Sequence, residues 1–169
     1  VYQDGVASII APEDGPYVVQ VRESAYGGNG ACTYRLHVGT FPRPRAVYPA
    51  GGQFGQATEI RWLGDPAGEV TETITLPTEA PSNFGLFAQD DQGIAPSANE
   101  FRLSALENVL EAEPNNSPAE ATAFNAPSAV NGILETEGDV DCFKFKATKG
   151  QVLDIRVMAR SLRSPLDSV

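Results

Sequence analysis

The sequence predicts an all-β protein built from β-sandwich modules. Short runs of alternating apolar and polar residues recur along the chain, and turns rich in glycine and proline separate them. The composition agrees, because 16 glycines and 13 prolines in 169 residues are typical of a soluble protein with many turns. Short strands at this spacing favour a sandwich over a helical or disordered chain.

Three units are predicted along the chain, at 1–40, 41–108 and 109–169. The segment 41–45, Phe-Pro-Arg-Pro-Arg, reads as a linker, because two prolines so close together block a helix and resist a central strand position. A chain of this length divided in this way has small separate cores, so each unit is expected to be modest in size.

The first unit is predicted to contain strand, turn, strand, loop and strand. Alternating runs at 17–22 and 34–38 flank a glycine-rich loop at 24–30, and each run is typical of a half-buried strand. His37 falls on the side of its strand opposite Leu36, so we expect it to face solvent.

The second unit shows the same alternation more clearly. Thr58, Ile60 and Trp62 share one face of a predicted strand, and we expect Trp62 in the core. A strand at 70–76 should turn its threonines outward. The segment 51–55, Gly-Gly-Gln-Phe-Gly, is interpreted as a bend, because the Lys-Ser/Thr pair of a phosphate loop does not follow it.

The third unit begins with acidic and amide side chains spaced two residues apart. In an extended segment, side chains two residues apart point the same way, so Glu111, Glu113 and Asn115 can offer oxygen atoms in one direction. Such an array suits a hard cation. The alternative is a solvated linker with a turn at Asn116-Ser117-Pro118.

Charge and hydropathy exclude several kinds of partner. A net charge of −10 disfavours nucleic acid and anionic lipid, which need a basic surface. It suits cation binding or simple solubilisation. The chain has no run of about 18 apolar residues, which predicts no membrane span, and 1–4 do not resemble a secretion signal. We interpret the chain as an excised piece of a longer, extracellular or surface-attached protein.

Catalysis is not predicted. A Ser-His-Asp arrangement needs a histidine positioned by an acid, and His37 is the one histidine of the sequence. Two cysteines and one histidine are too few for a zinc site. Paired carboxylates can hydrolyse glycosides, but nothing in the pattern places a pair across a cleft.

Several separated motifs resemble one family. EAEPNNSPAEAT at 111–122, GDVDCFKFKATKGQ at 138–151 and SPLDS at 164–168 resemble, in this order, the beginning of the bacterial pre-peptidase C-terminal domain. This small β-sandwich accompanies secreted enzymes. The segment 11–39 resembles the last third of the same domain, and Cys142 departs from the family, which usually has an aromatic residue there.

The middle unit resembles a second family. VYPAGGQFGQATEIRWLG at 47–64 is similar to the opening of immunoglobulin-like IPT/TIG domains, in which a bend rich in proline and glycine precedes the first long strand. The two resemblances together imply two partial jelly-roll-like sandwiches, each cut by an end of the chain, on either side of an immunoglobulin-like sandwich.

The first resemblance also implies a calcium site. Related collagen-binding domains of secreted bacterial collagenases bind calcium where an acidic, Asn-containing segment meets the first core strand. The alternative interpretation places Asp139 in a turn and has Asp141 accept a hydrogen bond from nearby backbone. Carried over by motif, the ligands would be Glu111, Glu113, Asn115 and Asn116 on one side and Asp139 and Asp141 on the other.

The order of the motifs suggests that 1–40 and 109–169 complete one sandwich, within one chain or by strand exchange with another copy. Cys32 and Cys142 would permit one disulfide, although their positions on the predicted strands differ in parity. The expected role is a non-catalytic spacer that orients neighbouring domains of the parent protein and binds extracellular protein or polysaccharide. The alternative is an ancillary domain of an extracellular hydrolase such as a peptidase.

Overall fold

The computed structural model describes residues 5–79, 81 and 84–166. It is an all-β structure, as the sequence predicts, and one 3₁₀ helix at Arg160–Leu162 is the only helix of the described residues. In chain order the strands are β1 (Ala46–Tyr48), β2 (Gly51–Gln53), β3 (Ala57–Leu63), β4 (Val70–Thr75), β5 (Gly85–Leu86), β6 (Gln89–Asp90), β7 (Gly93–Ile94), β8 (Asn99–Glu100), β9 (Arg102–Ser104), β10 (Glu107–Leu110), β11 (Thr122–Ala123), β12 (Ser128–Asn131) and β13 (Phe143–Lys144).

The largest sheet belongs to the middle unit, where β3 pairs antiparallel with β1 on one side and β4 on the other. The alternation in β3 is confirmed, because Ile60 and Trp62 are buried while Glu59 and Arg61 are exposed. The indole Nε1 of Trp62 donates a hydrogen bond to Glu72 Oε1 at 2.6 Å, which satisfies its polar atom at the edge of the core.

The segment 46–53 contributes to two sheets in succession. β1 pairs with β3, and β2, just beyond Pro49 and Ala50, pairs parallel with β9. Gly51 and Gly52 lie in β2, where a Cβ on Gly51 would collide with the Arg102 carbonyl oxygen. The pair of glycines therefore allows two strands to approach closely and does not itself form the bend that the sequence suggested. The chain turns after β2, at Gly55, which has a φ of 68°.

The apolar core lies in the middle unit. Phe84 packs edge-on against Phe101, with ring centroids 6.0 Å apart, and closes one side of the cluster. The buried members are Val47, Ile60, Trp62, Leu76, Ala88, Ala95 and Phe101.

Two pairs of parallel strands organise the third unit. β10 pairs with β12, and β11 pairs with β13. Because β10 spans Glu107–Leu110, it runs across the predicted boundary between 108 and 109. Its pairing partner comes later in the chain, so the short-range pattern at 101–110 contains no sign of where the second unit ends. The ring of Phe145 packs against that of Phe124 at a tilt of 41°, with centroids 5.2 Å apart, next to β13.

The strands predicted in the first unit do not form within residues 5–39. The alternation at 17–22 survives only as a difference in exposure, 92% for Val18 against 49% for Tyr17 and Val21. An alternating pattern defines two faces, but a strand also needs a partner for its backbone groups. Residues 1–4 of this unit lie outside the described residues.

Leu153, Ile155 and Val157 alternate with polar residues, a pattern that predicts a strand, but no strand forms there, and 146–158 are exposed throughout. No ladder joins 5–39 to 110–166 among the described residues, so completion of a sandwich within one chain is not found. Strand exchange between copies stays a prediction. Cys32 and Cys142 are free thiols; Cys32 is exposed and Cys142 is partly buried.

In the part of the chain that the structure describes, no helix has the length and apolar character required to cross a bilayer.

A candidate cation site beyond two parallel strands

The parallel pairing of β10 and β12 brings the C-terminal ends of these two strands to one place. Strands that run in the same direction end at the same edge, so Glu111, which follows β10, lies beside Gly132, which follows β12. The Glu111 amide donates to the Asn131 carbonyl oxygen at 2.9 Å and extends the ladder by one bond. The Ile133 amide then donates to Glu111 Oε1 at 2.6 Å, which fixes this carboxylate over the end of β12.

Three carboxylates meet at this edge. One oxygen from each of Glu111, Glu113 and Asp141 lies within 4.8 Å of the other two. Calcium binds oxygen at 2.3–2.6 Å, so two oxygens that share one ion are at most about 5 Å apart. The three side chains therefore fit around a single ion of this size.

Asn115 lies at the centre of the cluster and is fully buried, with 0% of its surface exposed. Its amide nitrogen donates to Glu111 Oε2 at 3.5 Å, and its backbone amide donates to Glu113 Oε2 at 3.0 Å. Its side-chain oxygen and Asp141 Oδ1 are buried without a hydrogen-bond partner among the described residues. A buried acceptor without a donor costs about 1–3 kcal/mol, and a cation is one group that would satisfy both oxygens.

Backbone contacts connect the two halves of the cluster. The Cys142 amide donates to the Asn115 carbonyl oxygen at 2.9 Å, which places Asp141 beside Asn115. Gly132 forms the wall between the carboxylates, because a Cβ built there would lie 2.5 Å from Glu111 Oε2 and 2.7 Å from Asp141 Oδ2. The site therefore depends on the absence of a side chain at 132.

Burial and mutual repulsion change the acidity of the cluster. Loss of solvent raises the pKa of Glu111 to about 7, and the charge of Asp141 adds to the rise. Burial also raises the pKa of Asp141, with the charge of Asp139 as the next cause. A bound cation favours the ionised form of a carboxyl group. It would therefore stabilise these carboxylates, whose pKa values are raised in its absence.

Tyr48 connects the cluster to the middle unit. It ends β1, and its hydroxyl donates to the Asn131 carbonyl oxygen at 3.4 Å. Burial first, and then the charge of Glu111, raise the pKa of Tyr48 to about 12. The cluster therefore lies where the third unit meets the sheet of the second.

The other two predicted ligands occupy a neighbouring turn. Asp139 accepts hydrogen bonds from the backbone amides of Glu135 at 2.7 Å and Val140 at 2.9 Å. These contacts agree with the alternative interpretation, in which Asp139 lies in a turn. With its amide nitrogen toward the acceptors, Asn116 donates to Asp139 Oδ1 at 2.6 Å and to the Val140 carbonyl oxygen at 3.0 Å. Of the six residues, the structure brings together Glu111, Glu113, Asn115 and Asp141.

We expect the free energy of unfolding to fall as the pH rises from about 4.5 to about 7 in a chelating buffer. Glu111 keeps its proton to about pH 7 in the folded chain, whereas its ordinary pKa is 4.5. The folded chain therefore binds more protons in this window, and ionisation at higher pH favours unfolding. Because Glu111 is only partly buried, solvent screening limits the effect to about 1–2 kcal/mol.

Urea unfolding at several pH values measures this dependence, and Glu111→Gln should flatten it. Glu79→Gln serves as the control, because Glu79 is exposed and distant in sequence from the cluster. Equal pH dependence in the original chain and in Glu111→Gln would contradict the assignment of the effect to Glu111.

Gly132 and Tyr48 were not found from the sequence. Gly132 matters because of the carboxylates brought next to it from 111 and 141, and Tyr48 because its hydroxyl reaches the Asn131 carbonyl oxygen at the end of β12. Neither position has a local sequence signal, since both relations arise between strands far apart in the chain. His37 is exposed, as expected. Tyr26 is also exposed, and the Arg22 guanidinium lies 4.7 Å from the centre of its ring.

Comparison of the chain with protein-family models, with curated proteins and with solved structures finds no match.

Proposed function

We propose that the chain is a non-catalytic binding and spacer module of a large secreted or surface-attached bacterial protein, stabilised by calcium. The observation that carries the proposal is the convergence of Glu111, Glu113 and Asp141 around buried Asn115. The donor set consists of oxygen atoms, which is the ligand type that calcium prefers.

The position of the cluster supports the spacer role. Glu111 directly follows β10, which leaves the middle unit, and Asp141 lies two residues before β13 of the third unit. A divalent ion held by both would cross-link the connection and reduce the motion of one unit against the other. Calcium sites of extracellular modules often bind weakly, with dissociation constants of about 0.1–1 mM, which matches the concentration outside cells rather than inside.

Isothermal titration calorimetry with calcium tests the proposal, with the titration carried to several times the weakest expected dissociation constant. The unmodified chain should bind one ion, and Asp141→Asn should bind it at least tenfold more weakly, because one of three carboxylates is lost. Binding should also raise the melting temperature of the unmodified chain.

Asp91→Asn is the matched control, because Asp91 is exposed in the turn between β6 and β7. It removes the same charge without touching the cluster, so its calcium affinity should equal that of the original chain. Absence of any binding signal in the unmodified chain would remove the cation site, and with it the main support for the proposed role.

A further inference from the structure

One edge of β3 is only partly covered. β3 pairs with β4 along Ala57–Trp62, but β1 pairs with it only at 61–63. After Tyr48 the chain leaves β3, because β2 pairs with β9 instead. On the β1 side, the edge at 57–60 therefore has no strand beside it among the described residues, over a length of about 13 Å at 3.3 Å per residue.

The backbone groups along this edge are unused. The Gln56 carbonyl oxygen accepts a hydrogen bond at 2.9 Å from the amide directly after β4, and the direction of these groups alternates from one residue to the next. Ala57 and Glu59 therefore direct their N–H and C=O groups away from β4, where they form no hydrogen bond with a described residue. The Leu63 carbonyl oxygen, which accepts from the Arg45 amide on the β1 side at 2.8 Å, agrees with this alternation.

A groove of about 340 Å³ lies along the free edge. Its lining includes 56–59 of β3, Tyr48 at the end of β1, and Glu107, Asn108 and Leu110 of β10. The volume is within the range of binding sites for small ligands, about 300–1,000 Å³. A short extended peptide in this groove can pair its backbone with β3 while its side chains lie near β10.

The charges of the lining favour a basic peptide. The carboxylates of Glu59 and Glu107 are exposed, and neither forms a hydrogen bond or ion pair with a described residue. Among the described residues of the lining, Arg61 alone has a basic side chain, and it is already paired with Glu69 at 3.4 Å. Lysine or arginine side chains would pair with the two free carboxylates, whereas an acidic segment would be repelled by them.

The free edge and the free carboxylates together distinguish an extended basic peptide from other ligands. Such a peptide pairs its backbone with β3 and its side chains with the carboxylates. A polyamine would use the carboxylates but not the backbone groups of Ala57 and Glu59, and a neutral peptide would use the backbone groups but leave the carboxylates without a cation.

We propose that the groove binds an extended basic segment of a partner protein, which adds a strand to β3 at 57–60. Side chains alternate across a strand, so basic residues two apart would lie on the face of Glu59, and small or β-branched residues between them would lie on the face of Thr58. The inference rests on the proposed function as a binding module and assigns it a site and a kind of partner.

Titration of the intact, calcium-supplemented chain with a blocked hexapeptide of alternating lysine and threonine tests the inference. The peptide should bind and shift the backbone amide resonances of 57–59 and 107–110. N-methyl groups on its lysines should abolish binding, because residues on the face of Glu59 point their N–H groups at β3, whereas N-methyl groups on its threonines point away and should be tolerated. Equal affinity of the two methylated peptides would overturn the addition of a strand.

The double variant Glu59→Gln, Glu107→Gln should bind the unmethylated peptide about threefold to tenfold more weakly, because two opposite-charge contacts are lost. Glu13→Gln with Glu79→Gln is the matched control, since it removes the same charge at exposed positions outside the groove. Equal losses in the two double variants would overturn the role of the groove carboxylates.

Absence of peptide binding to a chain that still binds calcium would overturn the inference and leave the module proposal intact. Sedimentation analysis of the chain alone tests the rival occupant, a second copy of this chain. A dimer that dissociates in the Glu59→Gln, Glu107→Gln variant would overturn the assignment to a basic partner.

Discussion

Replacing Ile60 with alanine is expected to lower the free energy of unfolding by about 3 kcal/mol. Ile60 lies in the middle of β3 with 0% of its surface exposed, inside the apolar cluster of the middle unit. Its truncation loses buried apolar surface and leaves a cavity within the apolar cluster, which β3, held to β4 at this position, closes only in part. Urea unfolding followed by the fluorescence of Trp62 measures the change.

Ile94→Ala is the matched control for this experiment. Ile94 ends β7 in the same unit and is 56% exposed, so its truncation should cost well below 1 kcal/mol. Equal losses in the two variants would mean that Ile60 does not belong to a packed core. A loss at Ile60 without any change in the slope of free energy against urea would show that the unfolded state is unaffected.

Replacing Gly132 with alanine is expected to weaken calcium binding at least tenfold while it changes the unfolding free energy little. The added Cβ would lie 2.5 Å from Glu111 Oε2 and 2.7 Å from Asp141 Oδ2, so at least one carboxylate must move out of the cluster. Both contacts are with side-chain ends, which can rotate away without displacing the backbone. Calorimetric titration with calcium and urea unfolding in chelator measure the two effects separately.

Gly15→Ala controls for the loss of a glycine as such, because a Cβ at Gly15 meets no atom within 4 Å. Its calcium affinity should match that of the original chain. A folded Gly132→Ala variant that binds calcium with undiminished affinity would contradict the placement of the ion between Glu111 and Asp141.

The strands of the middle unit could be predicted from the sequence, because the alternation of apolar and polar residues matches the burial of their side chains. Ile60 and Trp62 alternate with charged residues, and the structure buries the first set and exposes the second. The hairpin at 89–94 follows from Asp90, whose Oδ1 accepts hydrogen bonds from the amides of Gln92 and Gly93 at 2.8 and 3.1 Å. The hairpin depends on interactions that are local in the chain.

Half of the candidate site was also predictable. The spacing of Glu111, Glu113 and Asn115 predicts that they lie near one another in an extended segment, and Asn115 contacts both glutamates, one through its backbone amide and one through its side chain. The choice between Asp139 and Asp141 was not predictable. It depends on which aspartate accepts the hydrogen bonds of the backbone turn at 135–140, and in the structure this is Asp139.

By itself, the sequence determined the all-β class, the faces of β3, and the run of acidic oxygen donors at 111–115. Only the tertiary structure decided that Gly132 completes the site and that 5–39 remain exposed and unpaired. The physical reason is the same in both cases. Periodicity specifies in which direction a side chain points, whereas the presence of a neighbour depends on which distant segment lies alongside.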